Sequence, residues 1–183
     1  MKAAVLVNGV PASGKSTVAR AIAAATGWPV LALDTIKEAL FEEIGRGDRD
    51  DNRRLGRASY RAIFALIADF PADAGVIVDA WFGFQPREVL AAHIARSGLL
   101  RIAEIWCHAP ADIVGARYGA RVGQRSAGHL GLDYVPELIA LAQRAAPLGE
   151  FPLYRVDTTQ PTPDLTDWLE AALSRGRSAR HGG

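Results

Sequence analysis

Apolar residues along this chain come in short, nearly unbroken runs. Each run is followed by a turn and then by a longer stretch in which they recur every three or four positions. The runs at residues 3–7, 29–33, 75–78, 100–106 and 153–156 predict five strands. The first, third and fourth are almost continuously apolar, as strands covered on both faces require. Helical periodicity predicts helices over residues 15–26, 35–44, 52–69, 86–96, 111–125 and 136–145, with a last one over 163–174. Strands alternating with helices argue for an α/β fold with a parallel sheet and right-handed crossovers. No internal repeat is present. The glycine- and arginine-rich tail, residues 175–183, is expected to be disordered, which leaves one domain over residues 1–174.

Two stretches exceed a simple crossover. The second and third runs are about 40 residues apart and enclose two helices and the polar joint Gly45-Arg46-Gly47-Asp48-Arg49-Asp50-Asp51. The fourth and fifth runs enclose two more helices, within which residues 111–133 are expected to act as a lid. Inserted helices must sit over one end of the sheet. In open α/β sheets the crevice at the carboxyl ends of the strands is where ligands bind.

Composition narrows the partners. Of the 183 residues 49 % are hydrophobic and 22 % charged, and 21 basic against 20 acidic side chains leave a formal charge of +1. That balance gives no electrostatic reason to expect nucleic acid or a membrane surface as the main partner. No apolar stretch reaches the roughly 18 residues of a membrane span, and the apolar start runs straight into a glycine-rich loop without a cleavage site. The lone Cys107 has no partner for an internal disulfide and reads as a small buried hydrophobe. A cytoplasmic protein, monomeric or homodimeric, is expected.

The chemistry is concentrated in Gly9-Val10-Pro11-Ala12-Ser13-Gly14-Lys15-Ser16, which matches G-x-x-x-x-G-K-[ST] in full and is followed by Thr17 and a helical pattern. Glycines let the backbone curl so that successive N–H groups face phosphate oxygens. The helix that opens at Lys15 presents its unpaired N–H groups and positive dipole end to the same anion. Lys15 supplies a point charge to the β- and γ-phosphates, and the Ser16 hydroxyl is a ligand for Mg²⁺. ATP and Mg²⁺ are the expected cofactors.

Two carboxylates follow. Val76-Ile77-Val78-Asp79 is an apolar strand ending in an acid, which suits a Walker B role in which Asp79 serves the Mg²⁺ shell. Its neighbour is Ala80 rather than the glutamate that would polarise water in an ATPase motor. No Asn/Thr-Lys-x-Asp sequence of the guanine-reading kind occurs. The first feature favours transfer to a bound acceptor, and the second weighs against a GTPase switch. Asp34, after the second strand, is placed either to cap the next helix or to act as base toward an acceptor hydroxyl beside the P-loop; the two roles are compatible.

Arg117, Arg121 and Arg125 recur every four residues and form one helical stripe. With Gly119, Gly123 and Gly128 interleaved, the stripe suits a lid whose guanidinium groups neutralise transferring charge, Arg121 and Arg125 above all. His129 is open to a substrate or a capping role. The acceptor is expected between the Asp34 helix, the 52–69 helix and Ala80-Trp81-Phe82-Gly83-Phe84. Trp81 and Phe82 are candidates for stacking, and Arg53 and Arg57, one helical turn apart, for an anionic group. Arg54 and Arg61 read as solvated.

With these residues in place the chain resembles the shikimate, gluconate and adenylate kinase-like group of P-loop kinases, and is most similar to chloramphenicol phosphotransferase-like and zeta-toxin-like ATP-binding proteins. The resemblance rests on Gly9–Thr17, Leu33-Asp34, the 76–79 strand, the 117–125 lid and Val156-Asp157-Thr158-Thr159, and it runs to about residue 172. It implies a three-layer P-loop fold with a five-stranded parallel sheet in the order 2-3-1-4-5 and helical substrate-binding and lid insertions. It implies Asp34 as base, Asp157 and Thr158 in a loop along the adenine, and Arg117 or Arg121 as the lid arginine near that ring. The charged motifs of shikimate and gluconate enzymes have no match here, and Ala80 stands where the chloramphenicol-type enzyme has a second acid. The implied reaction is therefore transfer of the γ-phosphoryl group of ATP to a hydroxyl of a small molecule, with the acceptor a sugar, sugar acid, nucleoside or antibiotic. An ATP-hydrolysing switch or assembly factor is the alternative.

Overall fold

The computed structural model describes residues 1–45, 48–124 and 130–174. Strands β1 (Ala3–Asn8), β2 (Val30–Ala32), β3 (Gly75–Asp79), β4 (Arg101–His108) and β5 (Leu153–Asp157) form one sheet in the order β2-β3-β1-β4-β5. Every pairing is parallel. The helices are α1 (Lys15–Thr26), α2 (Leu33–Ile44), α3 (Arg49–Asp69), α4 (Arg87–Ser97), α5 (Ala111–Arg121), α6 (Val135–Arg144) and α7 (Thr166–Ser174). The expected fold class and strand order are those observed. Among the described residues no helix is long and apolar enough to cross a membrane.

β1 is the central strand, and all six of its residues are buried. Alternate side chains serve opposite faces. Val5 and Val7, with Ile77 and Ile105, pack on Val18 and Ile22 of α1 and Leu169 and Leu173 of α7. Ala4 and Leu6, with Val76 and Val78, pack on Tyr60, Ile63, Phe64 and Ile67 of α3 and Leu90 of α4. Each large side chain so buried contributes about 1.5–3 kcal/mol of transfer free energy. This two-sided burial explains why the sheet interior reads as continuous apolar runs rather than as an alternation. A third cluster joins Val10 and Ala12 of the P-loop to Val114 and Tyr118 of α5 and Leu138 of α6, seating these two helices on the loop itself.

Several boundaries differ from expectation, each for a local reason. α3 begins at Arg49, three residues early, because Asp48 accepts hydrogen bonds from the N–H groups of Asp50 and Asp51 and Asp51 reciprocates on the Asp48 N–H. This capping box starts the helix inside the presumed polar joint. α2 begins at Leu33, directly after β2, so Asp34 lies in the first turn and the N-cap is Ala32. α7 begins at Thr166 rather than 163, because Asp164 accepts from the Thr166 N–H and hydroxyl at 2.9 and 2.8 Å. α5 ends at Arg121 and continues as a 3₁₀ turn over Val122–Gln124, so the lid helix is shorter than expected. Arg125, Gly128, His129 and the tail from residue 175 lie outside the described residues.

Candidate active site

The P-loop closes between β1 and α1 in the conformation its glycines permit. Gly9 has φ 151° and Gly14 φ 87°, and Ala12 also has a positive φ of 63°. A Cβ on Gly9 would run into the Cys107 carbonyl and the Ser13 hydroxyl, and one on Gly14 would lie 2.8 Å from Thr158 Cβ. Both positions therefore exclude side chains for steric and conformational reasons together. No side chain caps α1, so its first N–H groups are available to an anion. Lys15 Nζ donates to the Val10 carbonyl at 2.9 Å, curling back over the loop. The Ser13 hydroxyl is buried without a partner. A cradle of this kind, with open N–H groups and one ammonium, fits the phosphates of a nucleotide.

Beside it, Ser16 and Asp79 line the same cavity, and the Ser16 hydroxyl favours the charged form of the Asp79 carboxylate. Asp79 is only 6 % exposed. Burial raises its pKa above the usual carboxylate value, Asp34 pushes the same way, and Lys15, Ser16 and Arg20 oppose the shift. Ser16 and Asp79 bring a hydroxyl and a carboxylate to the same cavity, a donor set that fits Mg²⁺. No cluster of three or more His, Cys, Asp or Glu side chains suited to a metal occurs among the described residues. Asp34 is exposed, and its carboxylate makes no hydrogen bond to the described residues. It does not cap α2.

The loop after β5 leans on the other side of the P-loop. Thr158 Oγ1 donates to the Ser13 carbonyl, and the Thr158 N–H donates to the His108 carbonyl at 2.9 Å. Arg117 donates to Thr158 Oγ1 and to its carbonyl. Asp157 points outward and accepts from the N–H and hydroxyl of Thr159, which hold its pKa below the usual value. The arginine stripe is thus divided. Arg117 is engaged with the β5 loop, whereas Arg121, one turn on, lines the central cavity.

That cavity, about 700 Å³, runs from the P-loop residues Pro11, Ala12 and Gly14 to Thr17 outward between α2, α3 and α6. Lys15, Ser16, Asp34 and Asp79 all line it. The wall on which an acceptor is expected carries Trp81 and Phe84 and the cations Lys37, Arg49 and Arg53. Arg53 pairs with Asp50 at 3.1 Å on the outer surface. Two expected wall residues stand elsewhere. Phe82 is 3 % exposed and packs edge-on against Tyr60 in the core, because the 3₁₀ turn Phe82–Phe84 rotates it inward. Arg57 is exposed and outside the cavity lining, since α3 turns only Arg49, Asn52, Arg53 and Gly56 toward it. The structure adds residues that the sequence did not single out: Arg20, one turn beyond Ser16 on α1, and Tyr134, Glu137 and Arg144 on the α6 side. Arg20 was discoverable from its i,i+4 spacing to Ser16. The α6 residues were not, because nothing local shows which insertion faces the P-loop.

Comparison with known proteins agrees with this architecture. A family model described as an AAA domain matches residues 5–144. Uncharacterized proteins Rv2004c of Mycobacterium tuberculosis and Mb2027c of Mycobacterium bovis are each 30 % identical over 165 residues, covering 85 % of this chain. The chain spans about a third (32 %) of the length of these curated relatives. Among solved structures, a candidate kinase from Chloroflexus aurantiacus is 27 % identical with a TM-score of 0.71, covering 93 % of this chain and 96 % of its own. A gluconokinase from Sinorhizobium meliloti is 23 % identical with a TM-score of 0.57, covering 95 % and 91 %. A sugar kinase from Janibacter is 22 % identical with a TM-score of 0.53, covering 94 % and 92 %. At those last identities the likeness speaks for the fold. The chain therefore belongs to the AAA domain family and shares the fold of these P-loop kinase structures.

Proposed function

We propose that the protein transfers the γ-phosphoryl group of ATP to a hydroxyl of a small molecule, with Asp34 as the base. The observation that carries this reading is the position of Asp34. It is an exposed carboxylate with no hydrogen bond to the described residues, lining the same cavity as Lys15, Ser16 and Asp79. An acceptor hydroxyl between Asp34 and the P-loop would give its proton to Asp34 as its oxygen forms the new bond to phosphorus. The bond from the γ-phosphorus to the bridging oxygen breaks, and ADP carries the electron pair. Lys15 and Arg121 neutralise charge on the phosphate oxygens, and Arg125 is the second candidate for that task. Mg²⁺, which Ser16 and Asp79 would hold, supplies further charge neutralisation at the β- and γ-phosphates. Arg117, Asp157 and Thr158 would flank the nucleotide base.

Trp81 and Phe84 give the acceptor wall an aromatic face, and Arg53 and Lys37 give it donors, a combination suited to a hydroxylated ring. The gluconokinase and sugar kinase among the fold neighbours make sugars and sugar acids the first acceptors to try. The reading takes residues 1–174 as one catalytic domain, working in the cytoplasm as a monomer or homodimer. The test is ADP release with Mg²⁺ across sugars, sugar acids, nucleosides and antibiotics, comparing wild type with Asp34→Asn. An acceptor that stimulates release about a hundredfold or more, with the stimulation lost in Asp34→Asn, is expected. Slow hydrolysis indifferent to every acceptor and to Asp34 would overturn the reading in favour of a nucleotide switch.

A further inference from the structure

The peptide group between Trp81 and Phe82 is held at both ends. Its carbonyl accepts from the Tyr60 hydroxyl, and its N–H donates to Asn8 Oδ1 at 3.1 Å. The same Oδ1 accepts the N–H of Gly9, the first residue of the P-loop, at 2.8 Å. One oxygen atom thus joins the nucleotide loop to the acceptor wall. Asn8 sits at the end of β1 with no exposed surface, and its Nδ2 donates to Glu104 Oε1 at 2.7 Å. Glu104, equally buried on β4, also accepts the N–H groups of Leu148 (2.9 and 3.1 Å) and Gly149 (3.4 Å), which precede β5.

The chemistry of the two side chains sets the direction of this relay. An amide turns either its oxygen or its NH₂ group to a neighbour, whereas a carboxylate only accepts. Glu104 therefore draws the Asn8 NH₂ toward itself and leaves the oxygen to the two backbone N–H groups. We infer that Asn8 is a positioning residue that transmits nucleotide occupancy of the P-loop to the acceptor wall at Trp81–Phe84, with Glu104 orienting its amide. Gly9 moves with the loop when phosphate enters, and Phe82 shares its acceptor, so the two segments tighten together. The inference rests on nucleotide binding at the P-loop and is independent of which acceptor the wall receives.

The exchange of backbone amide hydrogens in the full chain, with and without Mg²⁺ and a non-hydrolysable ATP analogue, tests it. In the wild type, peptides covering residues 9–17 and 80–84 should both exchange about tenfold or more slowly with the analogue bound. In Asn8→Ser the 9–17 protection should persist while the 80–84 protection disappears. Glu104→Gln, which can still present one oxygen to the Asn8 NH₂ but no longer forces that orientation, should reduce the 80–84 protection without abolishing it. In the double variant Asn8→Asp, Glu104→Gln, donor and acceptor exchange places, and ligand-dependent protection of 80–84 should return. Tyr60→Phe, which retains the ring and leaves Asn8 intact, should speed 80–84 exchange in the free protein yet keep the response to the analogue. An 80–84 segment indifferent to the analogue in the wild type, or protected equally in Asn8→Ser, overturns the relay. Absence of analogue binding by calorimetry, with no protection of 9–17, instead overturns the nucleotide reading on which it rests.

Discussion

Thr158 Oγ1 donates to the backbone carbonyl of Ser13 at 2.8 Å, which ties the loop after β5 to the middle of the P-loop. Arg117 grips that threonine from α5, at Oγ1 (3.0 Å) and at the carbonyl (2.8 Å). The bond is made by a side chain remote in sequence, so it stabilises the loop geometry rather than the helix that follows. Thr158→Val keeps the shape and removes the bond. It is expected to raise the KM for ATP about tenfold with little change in kcat, the size of one lost partly buried hydrogen bond. Arg117→Ala should act in the same direction, and the two effects should fall short of additive because they share one anchor. Steady-state kinetics and nucleotide calorimetry on the double-mutant set check this.

Asp34→Asn is expected to lower kcat by about 10²–10⁴ while leaving the calorimetric affinity for ATP within a few-fold of wild type. A parallel loss of ATP affinity would instead make Asp34 part of the nucleotide site.

Asp79 gives a pH signature with a definite sign. Its folded-state pKa is raised above the ordinary carboxylate value of 3.8, chiefly by burial. The protonated form is therefore favoured in the fold. The stability Asp79 contributes to the unliganded protein is fully present below pH 3.8 and is lost as pH rises through the folded value. Asp79→Asn should accordingly raise the thermal midpoint of the unliganded protein near pH 7, with the advantage vanishing in acid. The same substitution should abolish Mg²⁺-dependent turnover. Thermal melts from pH 3 to 8 with and without the substitution are the measurement.

Trp81, Phe82 and Phe84 are neighbours in sequence with different duties. Phe82→Ala empties a core site and is expected to cost about 3–5 kcal/mol of stability in denaturant unfolding. Phe84 is 38 % exposed and lies parallel to Tyr60 at 6.3 Å. Phe84→Ala should cost far less stability and appear mainly in the KM of the acceptor.

These three aromatics also show where the sequence stops being legible. The strands, the P-loop and the positions of Asp34 and Asp79 at the ends of β2 and β3 could be read because each depends on a pattern contained in ten or so residues, whereas the sheet order came only with the family resemblance. The 80–84 segment could not, because a 3₁₀ turn follows neither a period of two nor one of 3.6, and its rings pack on partners remote in sequence, Phe82 and Phe84 on Tyr60 and Trp81 on Trp106. Asn8 and Glu104 were passed over for a related reason. Each is a lone polar residue in an apolar strand, and only the β1–β4 register, which sets Asn8 beside Trp106, brings them into reach. The Asp48–Asp51 capping box was present in the sequence, but Asp at its third helical position departs from the usual Glu or Gln.

Cys107 is 1 % exposed, and burial pushes its thiol up to about 12. At pH 8 the native protein should react with an aromatic disulfide reagent no faster than it unfolds, and one thiol should become available in denaturant. Rapid labelling of the native protein would show that β4 opens near the P-loop.

Arg49, at the start of α3, and Glu137, on α6, make a two-oxygen contact at 2.6 and 2.7 Å across the outer end of the cavity. Both side chains are 51 % exposed. A pair so wet stabilises by about 0.2–1 kcal/mol and is screened by salt. On the proposed transfer reaction, parting α3 from α6 at this point would cost one surface ion pair, and the buried cluster that holds Val10 and Ala12 of the P-loop would stay intact.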